Sequence, residues 1–329
     1  MLEKNKFIVD AVIPWVDGSD LNWQNRFNKY SQKKINFDNK KDTVRYNSIG
    51  EINIAIKSII KFAPYIRKIF LVTDNQKPKS FEQLKDLALK KNIDLLLVDH
   101  KVIFKGYEDC LPVFNASSIE SMVFRIPELA EHFVYFNDDT FLMRKTSIED
   151  FFIQGKPIIR GKWQSFYEDQ FFRKNYYLLV GDKNKKESFN KVSINQMQQN
   201  SAKIAGLSNY VKKHHVPAAI RKSTLEKFFK NNDILRDNVK YRFRDQSQFV
   251  LASMSNHLEI KNNTYIYEKE SKLTYIDFGS YKFFLMLKLK LYWHKVSKRK
   301  LFMCCQSLEL ADQDKLDYIL NWIDNRLEM

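Results

Sequence analysis

Over the first 140 positions the apolar residues arrive in two alternating patterns. Residues 7–13, FIVDAVI, are β-branched and apolar almost throughout, which predicts a strand covered on both faces. PWVDGSD ends it through Pro14, Gly18 and Ser19. Residues 22–42 are polar and lysine-rich, with Trp23 and Phe27 as anchors, and read as a loop holding a short helix. EINIAIKSIIKF then sets Ile52, Ala55, Ile56, Ile59 and Ile60 at helical spacing, ahead of Pro64. An apolar strand over 68–72 runs into Thr73-Asp74-Asn75-Gln76. FEQLKDLALKK is an amphipathic helix, and the apolar strand 93–98 runs into Asp99-His100. Residues 117–126 read as a helix, and FVYF at 133–136 as a strand that ends in Asn137-Asp138-Asp139.

Strands alternating with helices in this way predict an α/β fold, a mostly parallel, doubly wound sheet with helices on both faces. Parallel strands bring their ends to one edge, where open α/β sheets hold their ligands. Taken alone, Asn137-Asp138-Asp139 reads as a polar turn. Four polar strand ends together, with Asp17, Asp74, His100 and Asp138 in one crevice, read as a ligand cleft.

Beyond Asp150 the pattern weakens. Thr146 and Glu149 stand at capping-box spacing before Phe151. The α/β core is therefore expected over 1–154, with a polar insertion or lid over 155–213. Order returns over 214–280, where His214-His215-Val216-Pro217 leads into a helix near Ser223, and YRFR at 241–244 precedes an apolar stretch at 249–254. Residues 281–329 read as basic amphipathic helices that make the C-terminal part helical. Residues 281–303, YKFFLMLKLKLYWHKVSKRKLFM, fit either an anionic membrane interface or a core-facing helix with a solvated basic edge.

Composition narrows the function classes. With 44% hydrophobic and 14% aromatic residues among 329, the chain can bury a sizeable core. A formal charge of +16 points to an anionic partner: nucleic acid, an anionic membrane surface or a phosphorylated substrate. The basic residues are scattered and no zinc-finger, RNP-like or zipper signature is present, which argues against nucleic acid. Cys110, Cys304 and Cys305 form neither a disulfide framework nor a metal-ligand spacing. The N-terminal apolar run is interrupted by Asp10 and lacks a small-residue cleavage site, and no stretch reaches the roughly 20 apolar residues of a spanning helix. The expectation is a cytoplasmic protein, soluble or peripheral on the inner face of the plasma membrane.

Walker, dinucleotide-fingerprint, zincin and nucleophile-elbow motifs are absent, and 8 glycines leave little for a glycine-rich phosphate nest. A nucleotide diphosphate would then be met by a cation held on carboxylates and by arginines. Asp138 and Asp139 suit a hard divalent ion such as Mg²⁺ or Mn²⁺, and Arg45, Arg125, Arg242 and Arg244 offer forks.

Four segments together resemble the Stealth family of capsular and exopolysaccharide sugar-1-phosphate transferases, which is related to the lysosomal-enzyme GlcNAc-1-phosphotransferase. They are DAVIPWVDGSD at 10–20, RYNSIGEINIAIKSIIKFAPYIRKIFLVTDNQKP at 45–78, LPVFNASSIESMVFRIPELAEHFVYFNDDTF at 111–141, and HVP at 215–217 with Lys222 and the RFR at 242–244. The resemblance implies a Rossmann-like, GT-A-like core that binds a nucleotide-sugar over 1–154, completed by 214–280. It implies transfer of a hexose-1-phosphate from a UDP-hexose or UDP-N-acetylhexosamine to a hydroxyl of a lipid-linked or growing polysaccharide, leaving UMP. A glycosyltransferase that releases UDP is the alternative. By the same resemblance Trp15, Asp17 and Gly18 line the nucleotide end, with Arg45 in the second segment. Asn115, Glu120 and Arg125 face the sugar phosphate, Asn137, Asp138 and Asp139 hold metal and diphosphate, and His215 and Arg244 close the site. Relatives carry a histidine just before Arg125, where this chain has Ser121-Met122-Val123-Phe124, so His215 is the candidate general base.

Overall fold

The apolar run near the N-terminus becomes the central strand of the main sheet. The computed structural model describes residues 7–32, 34–37, 49–169, 192–279 and 283–328. In chain order its strands are β1 (Val9–Pro14), β2 (Ile66–Thr73), β3 (Asp94–Asp99), β4 (His132–Tyr135), β5 (Thr140–Leu142), β6 (Phe152–Ile153), β7 (Lys156–Ser165), β8 (Asn209–Lys213), β9 (Ala218–Arg221), β10 (Ile266–Glu268), β11 (Leu273–Asp277) and β12 (Phe302–Gln306). The main sheet has the order β3-β2-β1-β4-β9. Its first four strands run parallel and β9 closes the edge antiparallel to β4. After β3 the chain crosses to the other side of β1, so the strand order reverses between β1 and β4. That is the switch point at which doubly wound sheets open a crevice.

Alternation along the strands fills two cores. Ala11, Ile13, Ile69 and Leu71 face the Glu51–Phe62 and Phe81–Leu89 helices. Val12, Phe70, Val72 and Phe133 face the other layer, which includes Phe104, Met122, Phe124, Leu225 and Leu258. Helices on both faces and a parallel sheet are what the hydrophobic pattern predicts.

Three expectations change. The helix expected over 117–126 is instead a short helix, Ala116–Glu120, followed by a 3-10 turn at Val123–Arg125. Its serines compete with the helical bonds, and Ser121 Oγ donates back to the Ser117 carbonyl at 2.7 Å. The capping box falls one residue later, on Ser147 and Asp150, because Thr146 is spent on the Phe62 carbonyl at 3.0 Å. The C-terminal part is not all helical. β12 lies between the Phe284–Val296 and Gln313–Leu327 helices and pairs with β5 and β11. The described part of 155–213 also has regular structure, since β7 and β8 pair antiparallel and the Ile194–Ile204 helix packs beside them.

Candidate functional site

β4 sets the site. It ends at Tyr135, Phe136 N–H donates to the Val12 carbonyl of β1 at 2.9 Å, and Asn137-Asp138-Asp139 then turns the chain into β5. The triplet is therefore both a turn and a strand mouth, beside the end of β1. β9 runs antiparallel to β4 with Tyr135 opposite Ala218, so continuing that register sets His215 against the triplet. His215 Nε2 lies 3.0 Å from Asn137 Nδ2 and 3.1 Å from Asp139 Oδ1. One ring nitrogen cannot both accept from an amide and donate to a carboxylate. With Nε2–H donated to Asp139, Asn137 must turn its amide oxygen toward the ring.

β12 completes the wall from the far end of the chain. Cys305 N–H donates to the Asp139 carbonyl at 3.0 Å, and Cys304 Sγ donates to Asp139 Oδ2 at 3.6 Å. Burial works to raise the Asp139 pKa, but the hydrogen bond and charge of His215, with Thr140 and Cys304, hold it below the usual carboxylate range. Burial pushes Asp138 the opposite way, upward, helped by the charges of Asp139 and Glu51. The two adjacent carboxyls are driven apart because their charged forms repel each other in a buried setting, a repulsion that a bound cation would relieve.

A second buried layer lies beneath. Burial pushes Glu120 up to about 7, opposed by the Leu251 N–H, Lys213, Tyr135 and Arg244. Burial also lowers Lys213 to about 8, against the pull of Glu120 and Asp139. Glu120 thus joins β4, the end of β8 and Arg244. Its raised value has a consequence for stability. The folded state holds the Glu120 proton more tightly than the unfolded chain, so its stabilising contribution is complete below about 4.5 and lost as pH rises through about 7. The melting temperature of Glu120→Gln minus that of wild type should therefore increase from pH 4.5 to pH 7.5. A pH-independent difference would show that Glu120 does not titrate there.

Several sequence-predicted residues lie elsewhere. Arg125 donates to the Ile103 and Lys105 carbonyls at 2.8 and 2.6 Å and stacks on Tyr107, so it braces a loop, and among the described residues no ion pair joins it to Glu120. Phe124, where the resemblance expects a histidine, stacks on Phe229 in the core. A side chain at that position packs inward. Asn115 caps the Ala116–Glu120 helix and donates its amide to Gln248 at 2.7 Å, so it ties loops together. Arg242 donates through Nη2 to Leu111 O at 3.2 Å and lies over Tyr30, while its buried Nε has no hydrogen-bond partner. Arg45 falls outside the described residues.

The ends of β1, β2 and β3 form a second group. Asp17 closes a turn onto Ser19, and Gly18 O accepts from Gln24. Gln76 clamps the Asp17 main chain from the β2 end at 2.8 and 3.0 Å. Asp74 pairs with Arg26 at 2.9 Å, and burial, only partly offset by Asp74 and Asp99, holds His100 neutral. Trp15 is buried at the β1 end with its indole N–H unpartnered. Sequence reasoning missed Lys213, Cys304, Glu51 and Glu309. Only Lys213 carried a local signal, its place beside the His214-His215 pair.

The donor atoms of Asp139, His215 and Cys304 lie within 4.8 Å of one another. Burial and the Asp139 charge keep the Cys304 thiol far above its ordinary value, so it stays protonated and acts as a donor. The carboxylates fit a cation better. Burial and the charges of Glu51 and Asp139 raise Glu309 to about 7, and its Oε1 is buried without a hydrogen-bond partner. The charges of Glu51 and Asp139 act on both Asp138 and Glu309, so these acids lie within electrostatic reach of one another, and carboxylate oxygens are the donors a hard divalent ion takes.

Residues 7–35 match Stealth protein CR1, conserved region 1, and residues 45–158 match Stealth protein CR2, conserved region 2. The capsular polysaccharide phosphotransferase cps1A of Actinobacillus pleuropneumoniae is 39% identical over 150 residues, 44% of this chain and 38% of that protein. The chain thus aligns with well under half the length of such relatives. The capsular polysaccharide phosphotransferase WcwK of Streptococcus pneumoniae is 31% identical over 259 residues, 73% of this chain and 74% of that protein. Among solved structures, the galactosyltransferase LgtC with donor and acceptor sugar analogs superposes with a TM-score of 0.46 at 10% identity, covering 97% of this chain and 95% of that one. With both conserved regions present in order and a relative matched across most of its length, the chain belongs to the Stealth family.

Proposed function

We propose that the protein transfers a hexose-1-phosphate from a UDP-hexose or UDP-N-acetylhexosamine to a hydroxyl of a lipid-linked or growing polysaccharide, in capsule or exopolysaccharide synthesis. The observation that carries this reading is the contact of His215 with Asn137 and Asp139 at the switch point, within or beside segments shared with proteins named phosphotransferases. With Nε2–H held by Asp139, a neutral His215 keeps its lone pair on Nδ1, the nitrogen that takes the acceptor proton. The acceptor oxygen bonds to the β-phosphorus, the bond to the bridging oxygen breaks, and UMP leaves with that oxygen. Lys213 and Arg244 supply positive charge beside the buried Glu120 as negative charge shifts onto the leaving group. A divalent cation on Asp138 and Asp139 would neutralise the diphosphate and orient it. A lipid-linked acceptor would set the reaction at the inner face of the plasma membrane.

A panel of nucleotide-sugars, assayed with Mg²⁺ and with chelator, tests donor, bond and metal together. UMP and a phosphodiester product, both lost with chelator, are expected. UDP with a glycosidic bond would overturn the reading in favour of glycosyl transfer.

A further inference from the structure

The Phe284–Val296 helix is apolar on two opposite faces. One face packs: Leu287, Leu291 and His294 are buried, with His294 Nδ1 at 2.8 Å from Thr274 Oγ1 and its ring edge-on to Trp322. At about 100° per residue the opposite face carries Leu285, Met286, Leu289, Tyr292, Trp293 and Val296. These are open to solvent, Leu285 at 67%, Trp293 at 65% and Leu289 at 50% exposure, and Phe283 at the helix start is exposed as well. A surface helix ordinarily turns polar residues outward, so a second apolar stripe calls for a covering surface.

Charge indicates which surface. Lys288 and Lys295 run along one edge of the stripe and Lys290 along the other, and Lys298 and Arg299 extend the basic region past the helix end. No Asp or Glu occurs between Phe284 and Lys300. A second copy docking through the same face would set lysines against lysines. An anionic bilayer instead receives apolar side chains in its upper acyl region, Trp and Tyr at the boundary, and lysine ammonium groups at the phosphates. Among the described residues no helix is long and apolar enough to cross a membrane, so the contact is with one leaflet.

The helix is fixed to the site. Arg144, just past β5, donates through Nη2 to the His294, Lys295 and Ser297 carbonyls at 3.0, 2.8 and 3.1 Å, and through Nε to Lys300 O at 3.2 Å. These bonds hold the helix C-terminus on the β5–β12 pair that carries Asp139 and Cys304.

We infer that the Leu285–Trp293 stripe with its flanking lysines seats the protein on an anionic membrane surface. The inference is independent of which bond the site makes. Sedimentation with vesicles of equal parts phosphatidylcholine and phosphatidylglycerol should recover the full chain, and vesicles of phosphatidylcholine alone should recover much less. Leu285→Gln/Leu289→Gln/Trp293→Gln should weaken anionic-vesicle binding by about tenfold or more, and raised salt should weaken it in wild type. Lipids brominated high in the acyl chain should quench wild-type fluorescence, and Trp293→Phe should bind as wild type with that quenching reduced. Absence of binding to anionic vesicles, equal binding by the triple variant, or unchanged quenching in Trp293→Phe would overturn the inference. So would a wild-type dimer that the triple variant dissociates, since a second copy would then cover the stripe.

Discussion

Asp139→Asn is expected to lower turnover by about 10²–10⁴-fold while the protein stays folded, because the amide fills the same space but meets the His215 ring without the carboxylate charge that holds it in its Nε2–H form. In wild type that ring is 3.1 Å from Asp139 Oδ1 and 3.0 Å from the Asn137 amide. With a neutral amide in place of the carboxylate, the imidazole loses its orienting charge and the developing imidazolium its counter-charge. His215→Gln should lose a comparable amount. The double variant should fall little below the worse single one, since groups that act as a unit are not additive. Initial rates of UMP release beside thermal melts would check this. Asp139→Asn within about threefold of wild type would remove Asp139 and His215 from the chemistry, and losses that multiply would show that they act separately.

How far the site could be read from the sequence follows from which contacts are local. β1 to β4 and the helices between them follow a hydrophobic period that each segment states for itself, so the α/β sheet and its polar strand ends were legible. The sequence marks the Asn137-Asp138-Asp139 turn and His215 as separate features, and the structure joins them through the antiparallel pairing of β9 with β4. Cys304 was not legible as a site residue, because it reaches Asp139 only through β12, a strand far along the chain whose pairing with β5 has no local signature. The tertiary contacts of Arg125 and Asn115 are illegible in the sequence for a related reason. Their residue types suit a phosphate or sugar, but whether a guanidinium or amide is already spent on carbonyls and side chains is decided by tertiary packing. The 281–303 stretch left two readings open, and the structure combines them: the helix does pack on a core, and it keeps a second apolar face outward.

Asp10 carries the largest expected effect on stability. In the sequence it is merely the acid that interrupts an apolar strand, and in the fold it is fully buried in β1. Arg67 of β2 meets it with both prongs, Nε at 3.0 Å and Nη2 at 2.7 Å, while the Lys68 and Ala130 N–H groups donate at 3.2 and 2.8 Å. One carboxylate thus ties β1, β2 and the loop before β4. The Arg67 side chain is 37% exposed, but Asp10 is fully buried, so removing the guanidinium strands a charge in the interior. Arg67→Met keeps the aliphatic stem and removes the guanidinium, and should cost about 3 kcal/mol at neutral pH. Asp10→Asn added to Arg67→Met should restore part of that loss, since the stranded charge is then gone. Urea unfolding with an unchanged slope measures both variants. A loss in Arg67→Met below about 1 kcal/mol would mean that water reaches Asp10 and the pair behaves as a surface bridge.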